Sequence, residues 1–204
     1  MEKTFSRDRV IIFGRYPVPG LTKTRLIPVL GPVDAANLQR HLTEQTFLTA
    51  KEFATRHKIT MECCFEGGTP QKVRRWLGPI PILSFQHAGD LGRRMRFAMF
   101  DALNNGSKRV VLLGTDILGV NAEILEQAFA ALLKHDIVLG PSTDGGYWLM
   151  GLKRPIDLFQ DIDLAFGRGE RDHHFRHHGL ALFFSDIGGG FKDGAGLHLG
   201  DFRV

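Results

Sequence analysis

The fold is constrained most by a short apolar segment that runs directly into a loop containing prolines and glycines. Residues 10–13 (Val-Ile-Ile-Phe) are uninterrupted apolar residues, and Gly14 follows at once. Such runs are typical of strands buried on both faces of a parallel sheet. Pro17 and Pro19 forbid a helix through the next residues. The sequence therefore predicts a first parallel strand that opens into an irregular loop at its carboxyl end.

The loop has the composition of a phosphate-binding site. Gly14 and Gly20 allow the backbone to approach a ligand closely or to take positive φ. Lys23 and Arg25, with Thr24 between them, bring cations to the far end of the loop. The spacing is neither a Walker A motif nor a Rossmann fingerprint. We predict a site for nucleotide phosphates here, in preference to a proline-rich turn with solvated cations.

The rest of the chain alternates between apolar runs and helical patterns. A long helical pattern follows Asp34, which is predicted to be its N-cap. Further helices are predicted from Thr69-Pro70, over 91–103 and from Asn121 to Lys134, and strands are predicted at 59–65, 82–85, 110–113, 137–141 and 147–152. This alternation predicts an α/β fold, a three-layer α/β/α sandwich with a mostly parallel central sheet.

Carboxylates follow two of the predicted strands. Asp116 lies at the carboxyl end of the run at 110–113, where open α/β sheets bind their ligands. The turn after the next strand carries the remaining candidates, Asp144, Gly145, Gly146 and Tyr147. A divalent cation that bridges a nucleoside diphosphate takes one or two carboxylates and phosphate oxygens. We therefore predict an Mg²⁺ or Mn²⁺ site formed by Asp116 and Asp144 at the same sheet edge as the basic loop.

Composition limits the remaining classes of function. A chain of 204 residues with 43% hydrophobic and 24% charged residues has the composition of a globular domain. The net charge of +4 is scattered along the chain, which favours an anionic small substrate over nucleic acid. Cys63 and Cys64 are adjacent, so we expect reduced thiols and no disulfide. The charged N-terminus and the short apolar stretch behind it predict a cytoplasmic protein without a membrane span.

Four segments together resemble a known family. They are residues 13–26, 89–95, 114–116 and 140–152, and they look like the DUF2064 group of GT-A-like nucleotide-diphospho-sugar transferases, some of which are linked to arsenosugar biosynthesis. The resemblance covers about residues 10 to 166. It implies a GT-A fold, a nucleotide-sugar donor and a divalent metal. The function expected on this basis is glycosyl transfer to a small acceptor.

The candidate residues have distinct expected roles. Lys23 and Arg25 would hold the pyrophosphate, and Asp116 would bind the metal. Asp144 would share the metal or act as the base toward the acceptor hydroxyl, and the residues alone leave both roles open. Asp90 belongs to a loop that lies near the nucleotide in the resembled family, but a role as helix N-cap explains it equally well.

Two features depart from the family pattern. GT-A transferases commonly carry Asp-x-Asp at the metal strand, where this chain has Gly114-Thr115-Asp116. Residues 167–204 are rich in glycine and histidine, and their sequence shows no clear pattern for the helix, the strand and the acidic segment that the family has there. We predict one catalytic domain at 1–166 and hypothesise that the tail at 167–204 is frameshifted or otherwise altered.

Two alternative functions remain open from the sequence. One is a nucleotidyltransferase on the same fold, which would join an NTP to a phosphorylated acceptor and release pyrophosphate. The other is an inactive nucleotide-binding module, for which the missing Asp-x-Asp and the unusual tail are the motivation.

Overall fold

The computed structural model describes residues 7–141, 147–156, 180–182 and 192–193. A 3₁₀ turn at Thr24–Leu26 precedes the first helix. The strands and helices alternate in the order β1 (Asp8–Arg15), α1 (Ile27–His57), β2 (Thr60–Glu66), α2 (Pro70–Leu77), β3 (Ile82–Phe85), α3 (Leu91–Asn104), β4 (Arg109–Gly114), α4 (Ala122–Lys134), β5 (Ile137–Pro141), β6 (Tyr147–Leu152), β7 (Leu180–Leu182) and β8 (Lys192–Asp193).

The described strands form one sheet of eight, in the order β3-β2-β1-β4-β6-β5-β7-β8. β1 pairs in parallel with both β2 and β4, and β2 pairs in parallel with β3. β6 is antiparallel to its neighbours β4 and β5, while β7 is parallel to β5. The carboxyl ends of β1 to β4 consequently meet at one edge, where the loop after β1 reaches the residues that follow β4.

Helices cover both faces of this sheet. On one face, Phe53 of α1, Val73 of α2 and Leu125 of α4 pack in a single apolar cluster with the strands. On the other face, Met95 and Met99 of α3 pack against the sheet in a second cluster. β1, β4 and β5 contribute buried side chains to the clusters on both faces, as their continuous apolar sequences predict. The predicted three-layer α/β/α sandwich is therefore confirmed.

The predicted start of the first helix is wrong. α1 begins at Ile27, is interrupted by the non-helical Gly31 (φ 77°, ψ 164°) and resumes with Pro32. Proline suits the first turn of a helix because its missing N–H has no helical partner there. Asp34 therefore lies inside the helix, where its Oδ1 is 3.4 Å from Asn37 Nδ2, and is not the N-cap.

The other predicted helix starts are confirmed. Thr69, Asp90 and Asn121 are the N-caps of α2, α3 and α4, and each side chain accepts a hydrogen bond from the backbone N–H three residues later. Such caps satisfy an N–H group that the helix itself leaves unpaired.

Cys63 and Cys64 are free, buried thiols in the middle of β2, as expected. Burial raises the pKa of Cys63 to about 12 and that of Cys64 to about 11. Among the described residues, none of the helices combines the length and the apolar character needed to cross a bilayer.

Candidate functional site

The loop after β1 is folded by its own hydrogen bonds. Leu21 N donates to Val18 O (3.0 Å), and Val18 N donates to the buried Thr22 Oγ1 (3.0 Å). Gly20 has a φ of 84°, as its position in the loop predicted, and Lys23 has a φ of 48°. A left-handed lysine is uncommon, and here it directs the chain into the 3₁₀ turn that contains Thr24 and Arg25. The side chains of Thr24 and Arg25 are exposed.

The loop and the end of β4 meet at an ion pair. Lys23 Nζ donates to Asp116 Oδ1 at 3.1 Å. The Lys23 side chain is only 14% exposed, whereas that of Asp116 is 69% exposed. The lysine stem is thus packed against the protein, and the ion pair lies at the carboxyl edge of the sheet, where Asp116 is exposed to solvent. Two of the residues predicted from separate motifs are brought together here.

A buried polar contact lies directly behind this ion pair. Gln39 Nε2 on α1 donates to Thr115 Oγ1 at 3.0 Å and to Thr43 Oγ1 at 3.1 Å. All three residues are at most 3% exposed. Thr115 also packs on Gly14, because a Cβ added to Gly14 would lie 2.8 Å from Thr115 Oγ1. The close approach that Gly14 permits is therefore to the residue preceding Asp116.

A second network ties the loop to β2 and α3. Arg15 and Arg94 both pair with Glu66 at the end of β2, at 2.6 Å and 3.0 Å. Arg15 Nη1 also donates to Leu21 O in the loop (3.2 Å). Burial raises the pKa of the Glu66 carboxyl, but hydrogen bonds from Arg15 and Arg94 outweigh burial and hold the pKa below its ordinary value.

Gln86 extends this network to β1. Its Nε2 donates to Gly14 O at 2.8 Å, and its Oε1 accepts a hydrogen bond from Arg94 Nη1 at 3.0 Å. Gln86 itself follows β3, where its backbone N–H donates to Phe65 O. These hydrogen bonds and ion pairs link β1, β2, α3 and the residue that follows β3 at the carboxyl edge of the sheet.

The remaining predicted site residues occupy different settings. Asp90 Oδ1 accepts from Arg93 N at 2.8 Å as the cap of α3. Tyr147 is half-buried and packs on the α3 side of the sheet, whereas Trp148 is buried on the opposite side and packs over Gly140. Trp148 is thus a core residue. Asp144, Gly145 and Gly146 lie outside the described residues.

Asp116 is a carboxylate of the kind that a hard divalent cation takes as a ligand, and here it is paired with Lys23. The described residues contain no group of three or more His, Cys, Asp or Glu side chains that would hold a metal on their own. Mg²⁺ typically takes one or two carboxylates and completes its shell with phosphate oxygens and water. Asp116, an exposed carboxylate beside a basic loop, supplies that type of ligand.

The polar side chains behind the site were not identified from sequence. Gln39 is a polar residue within the apolar face of α1, four residues after Ala35 and three before Leu42, and that pattern is the signal that would have revealed it. Glu66, Gln86 and Arg94 have no comparable signal. Their partners are distant in sequence, so only the assembled sheet brings them together.

Family membership follows from the sequence match. Residues 49–165 match DUF2064, described as an uncharacterized protein conserved in bacteria. The chain belongs to the DUF2064 family. This confirms the resemblance found from the motifs.

The DUF2064 chain is also similar to solved structures. A candidate nucleotide-diphospho-sugar transferase from Desulfovibrio desulfuricans G20 is 36% identical, with a TM-score of 0.67, over 73% of this chain and 64% of that one. The chain thus spans less than two thirds of that relative. The similarity confirms the nucleotide-diphospho-sugar transferase fold. None of the curated proteins matches the sequence.

Two other similarities are weaker. A 4-diphosphocytidyl-2C-methyl-D-erythritol synthase from Anaerococcus prevotii DSM 20548 is 13% identical over 68% of this chain and 57% of that one, with a TM-score of 0.43. The protein Rv0371c from Mycobacterium tuberculosis H37Rv is 14% identical over 88% of both chains, with a TM-score of 0.46. Similarities of this size support no inference about the chemistry of the DUF2064 protein.

Proposed function

We propose that this DUF2064 protein transfers a glycosyl group from a nucleotide-diphospho-sugar to a small acceptor with the help of a divalent cation. The observation that carries the proposal is the 3.1 Å contact between Lys23 and Asp116. It joins a basic loop and a carboxylate at the carboxyl edge of a parallel sheet, which is where α/β folds bind nucleotides. The likeness to the D. desulfuricans protein supports a transferase.

The loop residues would bind the diphosphate of the donor. Arg25 is exposed beside Lys23, and Thr24 lies between them on the same turn. Charge-assisted hydrogen bonds from such cations are shorter and stronger than neutral ones. In this proposal Gly20, with its positive φ, shapes the turn that presents them.

Asp116 would be the metal ligand at this edge, with Asp144 as its partner or as the base. A divalent cation held there would neutralise the negative charge that develops on the departing diphosphate. The acceptor hydroxyl would give its proton to the base as its oxygen bonds to the anomeric carbon, and the nucleoside diphosphate would leave with the electrons of the broken carbon–oxygen bond. Gly145, Gly146 and Tyr147 are proposed to bind the substrate or its nucleotide. Asp90 is the N-cap of α3 and is the remaining candidate for a nucleotide contact.

Thermal unfolding with a ligand panel tests the proposal. The panel contains UDP, GDP, CDP, ADP, their sugar conjugates and the NTPs, each with and without Mn²⁺. Ligand at about 100 times its Kd stabilises the folded state by about 2.7 kcal/mol, which raises the Tm of a chain of this size by about 5–10 °C. We expect such a shift for one nucleotide diphosphate or its sugar conjugate, only with metal.

Two variants and a product assay complete the test. Asp116→Asn should abolish the shift. Asp136→Asn is the control and should keep it, because Asp136 precedes β5 and pairs with Lys153 and Arg154, which follow β6. Release of a nucleoside diphosphate from a nucleotide-diphospho-sugar that requires an added acceptor identifies glycosyl transfer, whereas release without an acceptor is hydrolysis. Pyrophosphate release from an NTP would instead identify a nucleotidyltransferase, and binding without either product an inactive module.

A further inference from the structure

We infer that Gln39 is a positioning residue of this site, which fixes Asp116 through the hydroxyl of Thr115. The inference rests on the proposed function of Asp116 as a ligand-binding residue. Gln39 is buried on the face of α1 that packs on the sheet, where an apolar residue is the ordinary choice. Its amide nitrogen reaches across to β4 and donates to Thr115 Oγ1 at 3.0 Å.

Thr115 is held from two sides by this arrangement. Gln39 donates a hydrogen bond to its hydroxyl. Gly14 of β1 packs closely against the same side chain, since a Cβ added to Gly14 would lie 2.8 Å from Thr115 Oγ1 and 3.0 Å from Thr115 Cγ2. The next residue, Asp116, is exposed and contacts Lys23. A fixed Thr115 therefore limits where the Asp116 carboxylate can stand relative to the basic loop.

The second hydrogen bond of Gln39 does not explain its presence. Thr43 lies one turn further along the same helix, and its contact with Gln39 at 3.1 Å joins α1 only to itself. A helix threonine can satisfy its hydroxyl on the carbonyl four residues earlier, as Thr46 does on Leu42 at 3.0 Å. The contact that requires a side chain of glutamine length is the one to Thr115.

Four variants separate positioning from general stability. Gln39→Leu and Thr115→Val both remove the link between α1 and Thr115. Thr43→Val removes only the hydrogen bond within α1, and Thr115→Ser keeps the hydroxyl. Gln39→Leu, Thr115→Val and Thr43→Val each remove a hydrogen-bond partner from a buried polar group. All three variants are therefore expected to be somewhat less stable than the unaltered protein. Only Gln39→Leu and Thr115→Val should change the position of the Asp116 carboxylate.

The first measurement is the affinity of each variant for UDP, GDP, CDP and ADP with Mn²⁺. Gln39→Leu and Thr115→Val should bind about fivefold to tenfold more weakly than the unaltered protein, whereas Thr43→Val and Thr115→Ser should stay within about twofold. Equal affinity in all four variants would overturn the inference. If Gln39→Leu does not fold, Thr115→Val makes the same test.

The second measurement needs no ligand and separates the two proposals. Amide hydrogen exchange at positions 115 and 116 in Gln39→Leu, and at position 116 in Thr115→Val, should be faster than in Thr43→Val, when each is compared with the exchange of its own core strands. That pattern, together with no nucleotide binding by the unaltered protein, would sustain the positioning role and refute the proposed function. Unchanged exchange at both residues would refute the positioning role.

Discussion

Gly14 has almost no free space around it in the candidate site. It adopts no left-handed φ, so its importance comes from packing: a Cβ would meet Thr115 at 2.8 Å and Phe65 Cε1 at 3.1 Å. Gly114, on the neighbouring strand, differs in this respect because a Cβ there would be in ordinary contact with the Trp148 backbone, 3.6 Å from its O and 4.0 Å from its Cα. The two glycines form a matched pair for mutation.

Gly14→Ala should lower the free energy of unfolding by about 1–3 kcal/mol, because the added methyl group forces Thr115 or Phe65 to shift. It should also weaken metal-dependent nucleotide binding, since Thr115 carries Asp116. Gly114→Ala is the control and should cost less than half as much. Urea unfolding of both variants measures the difference, and equal losses would show that the packing around Gly14 is not special.

Glu66 should make stability depend on pH. Its folded pKa lies below its unfolded value, so its contribution is present above the unfolded pKa and is lost as the pH falls through the folded pKa. Between about pH 5 and about pH 3, the unaltered protein should therefore lose stability more steeply than Glu66→Gln. Denaturant unfolding across this range tests the expectation. The pKa of Asp136 is also held low, by a hydrogen bond from Arg154 and by the charge of Lys153. Asp136 adds the same pH dependence of stability to both proteins, so it does not affect the comparison. Identical slopes would mean that Arg15 and Arg94 do not hold the Glu66 carboxylate.

The helix boundaries show how far local signals reach. Thr69, Asp90 and Asn121 could be identified as caps because a cap needs only a side-chain oxygen and an N–H three residues away. Asp34 has the same side chain as Asp90, yet the helix has already resumed at Pro32, after the non-helical Gly31. Proline in the first turn is the stronger signal at that point.

Asp90 is expected to act as the cap of α3 and not as a nucleotide ligand. Asp90→Ala should then cost about 1 kcal/mol of stability, similar to Asn121→Ala at the start of α4, while Asp90→Ser should cost little because serine caps equally well. Unfolding free energies and nucleotide affinity are measured for each variant. A large loss of affinity in Asp90→Ser at unchanged stability would assign Asp90 to the nucleotide instead.

At the scale of the whole molecule, the position of the candidate site was predictable but its supporting contacts were not. Continuous apolar strands predicted a parallel sheet, and the carboxyl ends of β1 and β4 had to meet because parallel neighbours share an edge. The contacts of Gln39 with Thr115 and of Glu66 with Arg94 join residues from different elements. Such contacts depend on the packing of α1 and α3 on opposite faces, which periodicity alone does not fix.

The two thiols report on the integrity of this core. Burial raises the pKa of Cys63 and of Cys64 to about 12 and about 11, so little thiolate exists at neutral pH and neither sulfur is accessible. An aromatic disulfide reagent should react with no thiol of the folded protein on the time scale of minutes and with both thiols after denaturation. Rapid reaction of the folded protein would show that Cys63 and Cys64 of β2 are not buried between the sheet and its helices.

The measurement that tests the central claim most directly is a calorimetric titration of a nucleoside diphosphate, with and without Mn²⁺, into the unaltered protein and into Asp116→Asn and Lys23→Met. UDP, GDP, CDP and ADP are each used as the titrant. The claim that Lys23 and Asp116 form one nucleotide site predicts metal-dependent binding of at least one of them, weakened at least about tenfold by either substitution. Binding that is equally tight in all three proteins, or no binding to any of them, would contradict it.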